Sequence, residues 1–175
     1  TKILNHNTVL ALNQEDNLQN LVMGKGVGFG RKPGERVDFA PDATVYQLSQ
    51  KCDRGNPRDL VKRIDPLYLN IANAIILDAK NTFGQVDTSI LIPMADHIAF
   101  AAQRIQKNAP IGNPLTQDIK ALFPDEFQVA RRGGDLIAEQ TGLRFSDDEL
   151  GYIALHIHSA LESMQVSQAM QTAAI

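Results

Sequence analysis

A glycine-rich stretch carries the first residues whose types and spacing could do chemistry. Residues 24–34 hold five glycines in eleven positions, together with the cations Lys25, Arg31 and Lys32 and the aromatic Phe29. Cations suit phosphates, a ring can stack on an unpaired base, and backbone without side chains can approach a groove closely. The pattern favours nucleic-acid binding, although a hairpin with a solvated basic tip fits the composition equally well.

The same glycines do not match the known phosphate-binding motifs for nucleotides. The run from Gly24 to Phe29 lacks a third glycine at the spacing of GxGxxG, and the chain contains no GxxxxGK[ST] sequence. The stretch also follows a predicted strand without opening a helix. We therefore do not predict a nucleotide-binding loop here.

A second polar cluster, Asn5-His6-Asn7, follows the first short strand. Asparagine amides both donate and accept hydrogen bonds, so they can read the edges of bases. Asparagine is also typical of tight turns, where its side chain bonds to nearby backbone. From the residues alone both interpretations stay open.

The four histidines, His6, His97, His156 and His158, offer imidazole chemistry. His156 and His158 lie two positions apart on a predicted helix, about 200° around its axis, so they cannot share one metal ion. Each lies about 100° from the centre of that helix's apolar stripe, on opposite sides. The helical period therefore does not show which of the two histidines has a functional role. A partly buried histidine that is hydrogen-bonded in the core is the commoner explanation for either of them.

No hydrolytic or metal-binding signature accompanies these histidines. Asp96 precedes His97 and could fix an imidazole tautomer, but neither GxSxG nor HExxH occurs and Cys52 has no base beside it. We expect no catalytic residue, no metal and no cofactor, and therefore a protein that is not an enzyme.

The elements that must position these residues change character along the chain. Residues 8–12, 18–23 and 44–48 are short apolar or alternating runs separated by turn clusters, which predicts antiparallel strands. From Asn56 onward the period is helical. We predict one helix that begins at Asn56-Pro57 and two more that cover Leu67–Phe83 and Ser89–Lys107. Further helices are predicted to begin at Asn113-Pro114 and Phe123-Pro124, with Gly142 as a helix end. A Ser146–Glu149 capping box is predicted to open a last helix, which ends near Met164 before a frayed tail.

Composition bounds the remaining possibilities. The 175 residues carry 17 Lys+Arg against 20 Asp+Glu and a single cysteine, which argues against a disulfide scaffold and a uniformly basic chain. No apolar run reaches the roughly 18 residues of a membrane span, and the first residues lack the pattern of a signal peptide. We expect a cytoplasmic protein.

The order of these pieces resembles the BglG/SacY family of bacterial transcriptional antiterminators. The segments that carry the resemblance are KILNHNTVLAL, LVMGKGVGFGRKPG, IPMADHIAFAAQR and DDELGYIALHIHSAL. The resemblance implies a small all-β antiparallel co-antiterminator (CAT) RNA-binding domain over residues 1–55, followed by an all-α helical bundle, a PTS regulation domain (PRD), over residues 56–170.

The resemblance also implies a function. The first domain would dimerise and bind an RNA hairpin in a sugar-operon transcript, so that an overlapping terminator cannot form. The phosphoacceptors would be His97 and His156, with phosphorylated carriers of the sugar phosphotransferase system as donors, while His158 has no counterpart. The implied RNA contacts are Lys2, Asn5, Asn7, Gly24, Lys25, Gly26 and Phe29.

Two features depart from the family pattern, and two alternatives remain. Relatives often have Arg where Lys25 stands, and a second PRD usually follows, so the chain is either a fragment or a reduced regulator. A DNA-binding activator with a PRD would need a helix-turn-helix in place of the predicted strands. A plain phosphocarrier would leave the basic glycine loop unexplained.

Overall fold

The computed structural model describes residues 1–48 and 56–174. The predicted domain boundary next to residue 55 and the predicted linker cysteine, Cys52, lie outside the described residues. The chain divides into two compact units, Thr1–Asn70 and Ile71–Ile175.

The first unit contains the predicted antiparallel sheet. Its four strands, β1 (Lys2–Asn5), β2 (Thr8–Leu12), β3 (Gln19–Met23) and β4 (Thr44–Gln47), pair in chain order. Every pairing is antiparallel, so the prediction of an antiparallel β structure is confirmed.

One face of this sheet is tightly buried. Leu10 lies opposite Leu21, which lies opposite Tyr46, and all three are buried. Burial raises the pKa of the Tyr46 phenol, which keeps it neutral. Because side chains alternate along a strand, the register also aligns Val9, Val22 and Val45 on the opposite face.

Helices dominate the described chain from Asn56 onward. Asn56 caps the first of them by accepting from the Arg58 amide at 3.0 Å, as predicted. A single 3-10 turn (Thr88–Ile90) precedes the third helix. The helices are α1 (Pro57–Arg63), α2 (Pro66–Phe83), α3 (Leu91–Gln106), α4 (Thr116–Leu122), α5 (Pro124–Thr141) and α6 (Asp147–Ala173).

Most predicted helix boundaries agree with the structure. Pro124 opens α5, and Gly142 ends it in the left-handed conformation, with φ of 73°. The Asn113-Pro114 start is displaced, since α4 begins at Thr116 after Asn113 Oδ1 accepts from the Leu115 amide. The last helix continues beyond its predicted end near Met164, because residues 165–173 contain no glycine or proline to stop it.

Close packing and one carboxylate fix α3 and α5 against α6. A Cβ at Gly134 of α5 would lie 2.9 Å from Leu150 Cδ2 of α6, so a larger residue there would require the Leu150 side chain to shift. Asp87, just before α3, accepts from the Ser89 amide and from the Ser163 hydroxyl of α6, both at 2.9 Å. Burial works to raise the Asp87 pKa, but these hydrogen bonds outweigh it and lower the pKa.

Candidate functional site

The glycine-rich loop folds back onto the turn between β1 and β2. The Gly24 amide donates to Asn7 O at 3.0 Å, and the Gly28 amide donates to His6 O at 2.9 Å. The Gly26 amide donates to Asn7 Oδ1 at 2.8 Å. These three bonds join two segments that are distant in the chain into one surface.

The two asparagines of the turn shape this surface. Asn5 Oδ1 accepts from the Asn7 amide at 2.9 Å, while Asn7 Oδ1 is held by Gly26. Asn5 Oδ1 therefore does the turn chemistry that was one of the two interpretations of the cluster, whereas Asn7 Oδ1 binds the glycine-rich loop. Asn7 is exposed, and no described residue accepts from its Nδ2, so that amide group remains a donor for a ligand.

Phe29 stands out from the loop. Its side chain is 70% exposed, and its ring meets the His6 ring edge to face with centroids 5.5 Å apart. Its amide donates to Gly26 O at 3.0 Å, and Lys25 is exposed on the same turn. The structure thus presents an exposed ring and an exposed cation on the loop that is hydrogen-bonded to the Asn5–Asn7 turn.

Gly28 was not among the candidate residues, yet the surface depends on it. A Cβ at this position would lie 2.3 Å from Asn5 O, with Ile3 and Val9 methyl groups at 3.2 and 3.3 Å. Such a contact with backbone cannot be relieved by a side-chain rotation. The dense glycines of residues 24–34 signalled a close approach, but not which glycine makes it.

The remaining predicted cations lie apart from Phe29 or are engaged. Lys2 is exposed at the far end of β1 from the Asn5–Asn7 turn, next to Thr1, whose carbonyl accepts from the Gly34 amide. Glu35 lies 3.9 Å from Arg31 and accepts from the Lys32 amide at 2.9 Å. The basic patch predicted from composition is therefore partly neutralised.

The helical unit brings the two predicted phosphoacceptors together. His97 on α3 and His156 on α6 have ring centroids 5.9 Å apart, and the Tyr152 ring lies 5.5 Å from His97. The side chain of His97 is 17% exposed. Two imidazoles from distant parts of the chain thus share one site.

A buried carboxylate holds this site, and the sequence did not point to it. Glu149 is 2% exposed, and its two oxygens accept from Arg104 Nη2 at 2.9 and 3.2 Å. Its Oε2 also lies 3.3 Å from His97 Nε2. In the predicted capping box Glu149 would reach back to Ser146. Only the other half of that box forms, where Ser146 Oγ accepts from the Glu149 amide.

His158 faces the opposite side of α6, as its spacing from His156 requires. Its Nδ1 lies 3.1 Å from Glu126 Oε1, its Nε2 lies 3.3 Å from Glu162 Oε1, and its ring stacks on Phe123 at 3.7 Å. His158 therefore has a packing role. Across the described residues, no group of three or more metal-ligating side chains is placed to hold an ion.

Comparison with known proteins gives both regions a family. The CAT RNA binding domain model matches residues 1–54, and the PRD domain model matches residues 70–160. The beta-glucoside operon antiterminator of Dickeya chrysanthemi is 33% identical over 177 residues, covering 97% of this chain. This chain belongs to the BglG/SacY family of transcriptional antiterminators. The predicted resemblance is confirmed.

A second antiterminator and a solved structure from the same family are also similar to this chain. Transcription antiterminator LicT of Bacillus subtilis is 34% identical over 160 residues, 91% of this chain. The crystal structure of GlcT CAT-PRDI superposes with a TM-score of 0.75 at 32% identity, covering 92% of this chain and 96% of that one. This chain spans 62% of the Dickeya relative and 57% of LicT.

Among the described residues, no helix combines the length and the apolar character that a membrane span requires.

Proposed function

We propose that this chain is a transcriptional antiterminator that binds an RNA hairpin in a nascent sugar-operon transcript and prevents terminator formation. The observation that carries the proposal is the exposed Phe29, held beside the Asn7 amide and Lys25 by hydrogen bonds between loop and turn. An exposed ring next to donors suits the unstacked bases of an RNA internal loop. It is a regulator and not an enzyme, and it works in the cytoplasm.

Each predicted contact has a distinct part in this proposal. Phe29 stacks on a looped-out base, and Asn7 donates to a base edge through Nδ2. Lys25 contacts phosphate as a point charge. Gly24, Gly26, Asn5 and Lys2 complete the proposed contact set through backbone approach, turn shape and charge.

The first domain, which we place at residues 1–55, acts as a homodimer. Val9 and Val22 on one face of the sheet are buried within the chain, but Val45 on that face is 54% exposed, and Leu12, which lies on the same face as Leu10, is 59% exposed. A small four-stranded domain that leaves such residues uncovered gains stability by pairing with a second copy.

Phosphorylation of the second domain, placed at residues 56–170, controls the dimer. His97 and His156 accept phosphate from phosphorylated carriers or the permease of the sugar phosphotransferase system. Each phosphate adds roughly −1.5 to −2 charge, by analogy with other phosphorylated side chains. Charge added beside a buried carboxylate favours a rearrangement of the helices and so shifts the assembly.

Replacing Phe29 with alanine should weaken RNA binding. A stacked base contributes about 1–3 kcal/mol, so we expect the Kd to rise about 10- to 100-fold. The measurement is fluorescence anisotropy of the full chain with a labelled RNA hairpin that contains internal loops. Phe100→Ala, which removes a half-exposed ring from α3, is the matched control and should leave the Kd unchanged.

The same titration with duplex DNA of equal length tests the alternative. A DNA-binding activator would need a helix-turn-helix, and described residues 1–48 contain strands and turns with no helix. Equal affinity of the chain for both nucleic acids would contradict the proposal. So would an unchanged RNA affinity in the Phe29→Ala variant.

Removing either histidine should lower phosphate uptake. We expect His97→Ala and His156→Ala each to lose one acid-labile phosphate after incubation with phosphorylated carrier proteins, because each deletes a nucleophilic imidazole. Mass spectrometry of the intact chain and its peptides measures this. His158→Ala is the control and should label normally. Full labelling of the double His97/His156 variant would refute the assignment.

A further inference from the structure

The Phe29 ring has a packing partner in the turn onto which the glycine-rich loop folds. The ring of His6 meets it at an interplanar angle of 88°, with centroids 5.5 Å apart. Aromatic rings attract each other in this edge-to-face arrangement, because the positive edge of one ring lies against the negative face of the other. Among the described residues, this is the one ring contact that Phe29 makes. The contact therefore ties the exposed ring to a residue outside its own loop.

The glycine-rich loop itself gives the Phe29 ring little support. Gly28 and Gly30 flank Phe29, and neither has a side chain that could restrict the ring. Because Phe29 is 70% exposed, its ring would populate several rotamers without a neighbour. A base stacks only on a ring that projects in a suitable direction, and ordering a mobile side chain during binding lowers the affinity. A contact that orders the ring in the free protein therefore strengthens stacking.

We propose that His6 is a positioning residue that holds the Phe29 ring in the direction in which it stacks on a looped-out base of the RNA. The inference rests on the proposed function, because it names the residue that orders the same stacking ring. His6 raises RNA affinity through Phe29 and not through a contact of its own with the RNA. Its effect on binding therefore depends on the presence of the Phe29 ring.

The His6 ring can be removed without deleting the hydrogen bonds that join the loop and the turn. The Gly28 amide donates to the backbone carbonyl of His6, which any residue at this position keeps. The Gly26 amide donates to the Asn7 side chain, and the Asn7 amide donates to the Asn5 side chain. His6 also lacks the positive φ at which a substitution would introduce backbone strain. A substitution at position 6 therefore tests the ring contact itself.

A double-mutant cycle measures whether the effect of His6 depends on Phe29. The Kd for the labelled RNA hairpin with internal loops is measured by fluorescence anisotropy for the original full chain, His6→Ala, Phe29→Ala and the double variant. We expect His6→Ala to raise the Kd of the original chain about three- to tenfold, the range that an aromatic pair contributes. In the Phe29→Ala background the same substitution should change the Kd by less than about twofold, because no ring is left to position.

A substitution that keeps a ring at position 6 distinguishes the ring contact from other properties of histidine. His6→Phe can still pack edge to face on Phe29, so we expect its Kd to stay within about twofold of the original chain. A His6→Phe variant that binds as weakly as His6→Ala would overturn the inference. Gln14→Ala removes an exposed side chain from the turn at the other end of β2. It is the control and should leave the Kd unchanged.

The outcomes of the cycle separate this inference from the proposed function. An equal rise in Kd on His6→Ala in both backgrounds would show that His6 acts independently of Phe29, and would overturn the inference. So would an unchanged Kd in His6→Ala when Phe29→Ala binds weakly, and either result leaves the proposed function intact. A Phe29→Ala variant that binds the RNA as tightly as the original chain would overturn both proposals.

Discussion

Replacing Arg104 with alanine should lower the free energy of unfolding by about 3 kcal/mol. The reason is the buried carboxylate of Glu149, whose two oxygens both accept from Arg104 Nη2. Without the guanidinium, the Glu149 carboxylate, which is 2% exposed, has among the described residues only its contact with the His97 imidazole. Chemical denaturation of the full chain at neutral pH measures the loss.

The chain offers a matched control for this prediction. Arg132 also donates two hydrogen bonds to a carboxylate, Asp78, but this pair is largely exposed. Arg132→Ala should therefore change the unfolding free energy by no more than about 1 kcal/mol. Equal losses in the two variants would contradict the burial argument.

Removing both charges of the buried pair should recover most of the stability. In an Arg104→Met, Glu149→Gln double variant, no uncompensated charge remains, whereas Arg104→Met alone leaves one. The double variant should therefore be more stable than Arg104→Met. A double-mutant cycle measures the coupling, and simple additivity of the two losses would show that the pair does not act as a unit.

Replacing Gly28 with alanine should abolish tight RNA binding. The added Cβ would lie 2.3 Å from the carbonyl oxygen of Asn5, so the loop must move away from the β1–β2 turn. That movement would separate Phe29 from the Asn7 amide, because the Gly28–His6 and Gly26–Asn7 hydrogen bonds join them. We expect about 2–3 kcal/mol of lost binding energy, which is roughly a 100-fold rise in Kd.

Gly30→Ala is the control that distinguishes the effect of the steric clash at position 28 from the effect of backbone strain at a glycine with positive φ. Gly30 has a φ of 70° but nothing within 4 Å of an added Cβ, so alanine there costs only about 1–2 kcal/mol of conformational strain. Its RNA affinity should stay within a few-fold of the original chain. The test is anisotropy with the same RNA hairpin, and an undiminished affinity of Gly28→Ala would contradict the role of this close contact.

Local sequence pattern was sufficient for most elements. Alternating apolar residues set the antiparallel strands, and Pro124, Gly142 and Ser146 mark helix ends at the positions the structure shows. These features follow from backbone conformation and nearest neighbours, which a short window contains. The last helix ends at Ala173 and not near Met164 as predicted, because a polar tail without glycine or proline can remain helical.

Local sequence pattern did not predict the partner of the Glu149 side chain. Its spacing from Ser146 fits a capping box, and its amide does bond to the serine hydroxyl. Its side chain instead binds Arg104, forty-five residues earlier in the chain. A buried carboxylate gains more from a guanidinium than from a backbone amide, and only helix packing decides whether one is within reach.

The amino-acid sequence by itself determined the strands, most of the helices, the family and a glycine-rich loop that carries an aromatic ring, because each depends on residues close together in the chain. It also established that His156 and His158 face opposite ways. Tertiary structure alone decided that His156 meets His97 while His158 meets Glu126, and that Gly28 is the glycine pressed on Asn5. Such contacts join residues far apart in the chain, and periodicity contains no information about which surfaces pack together.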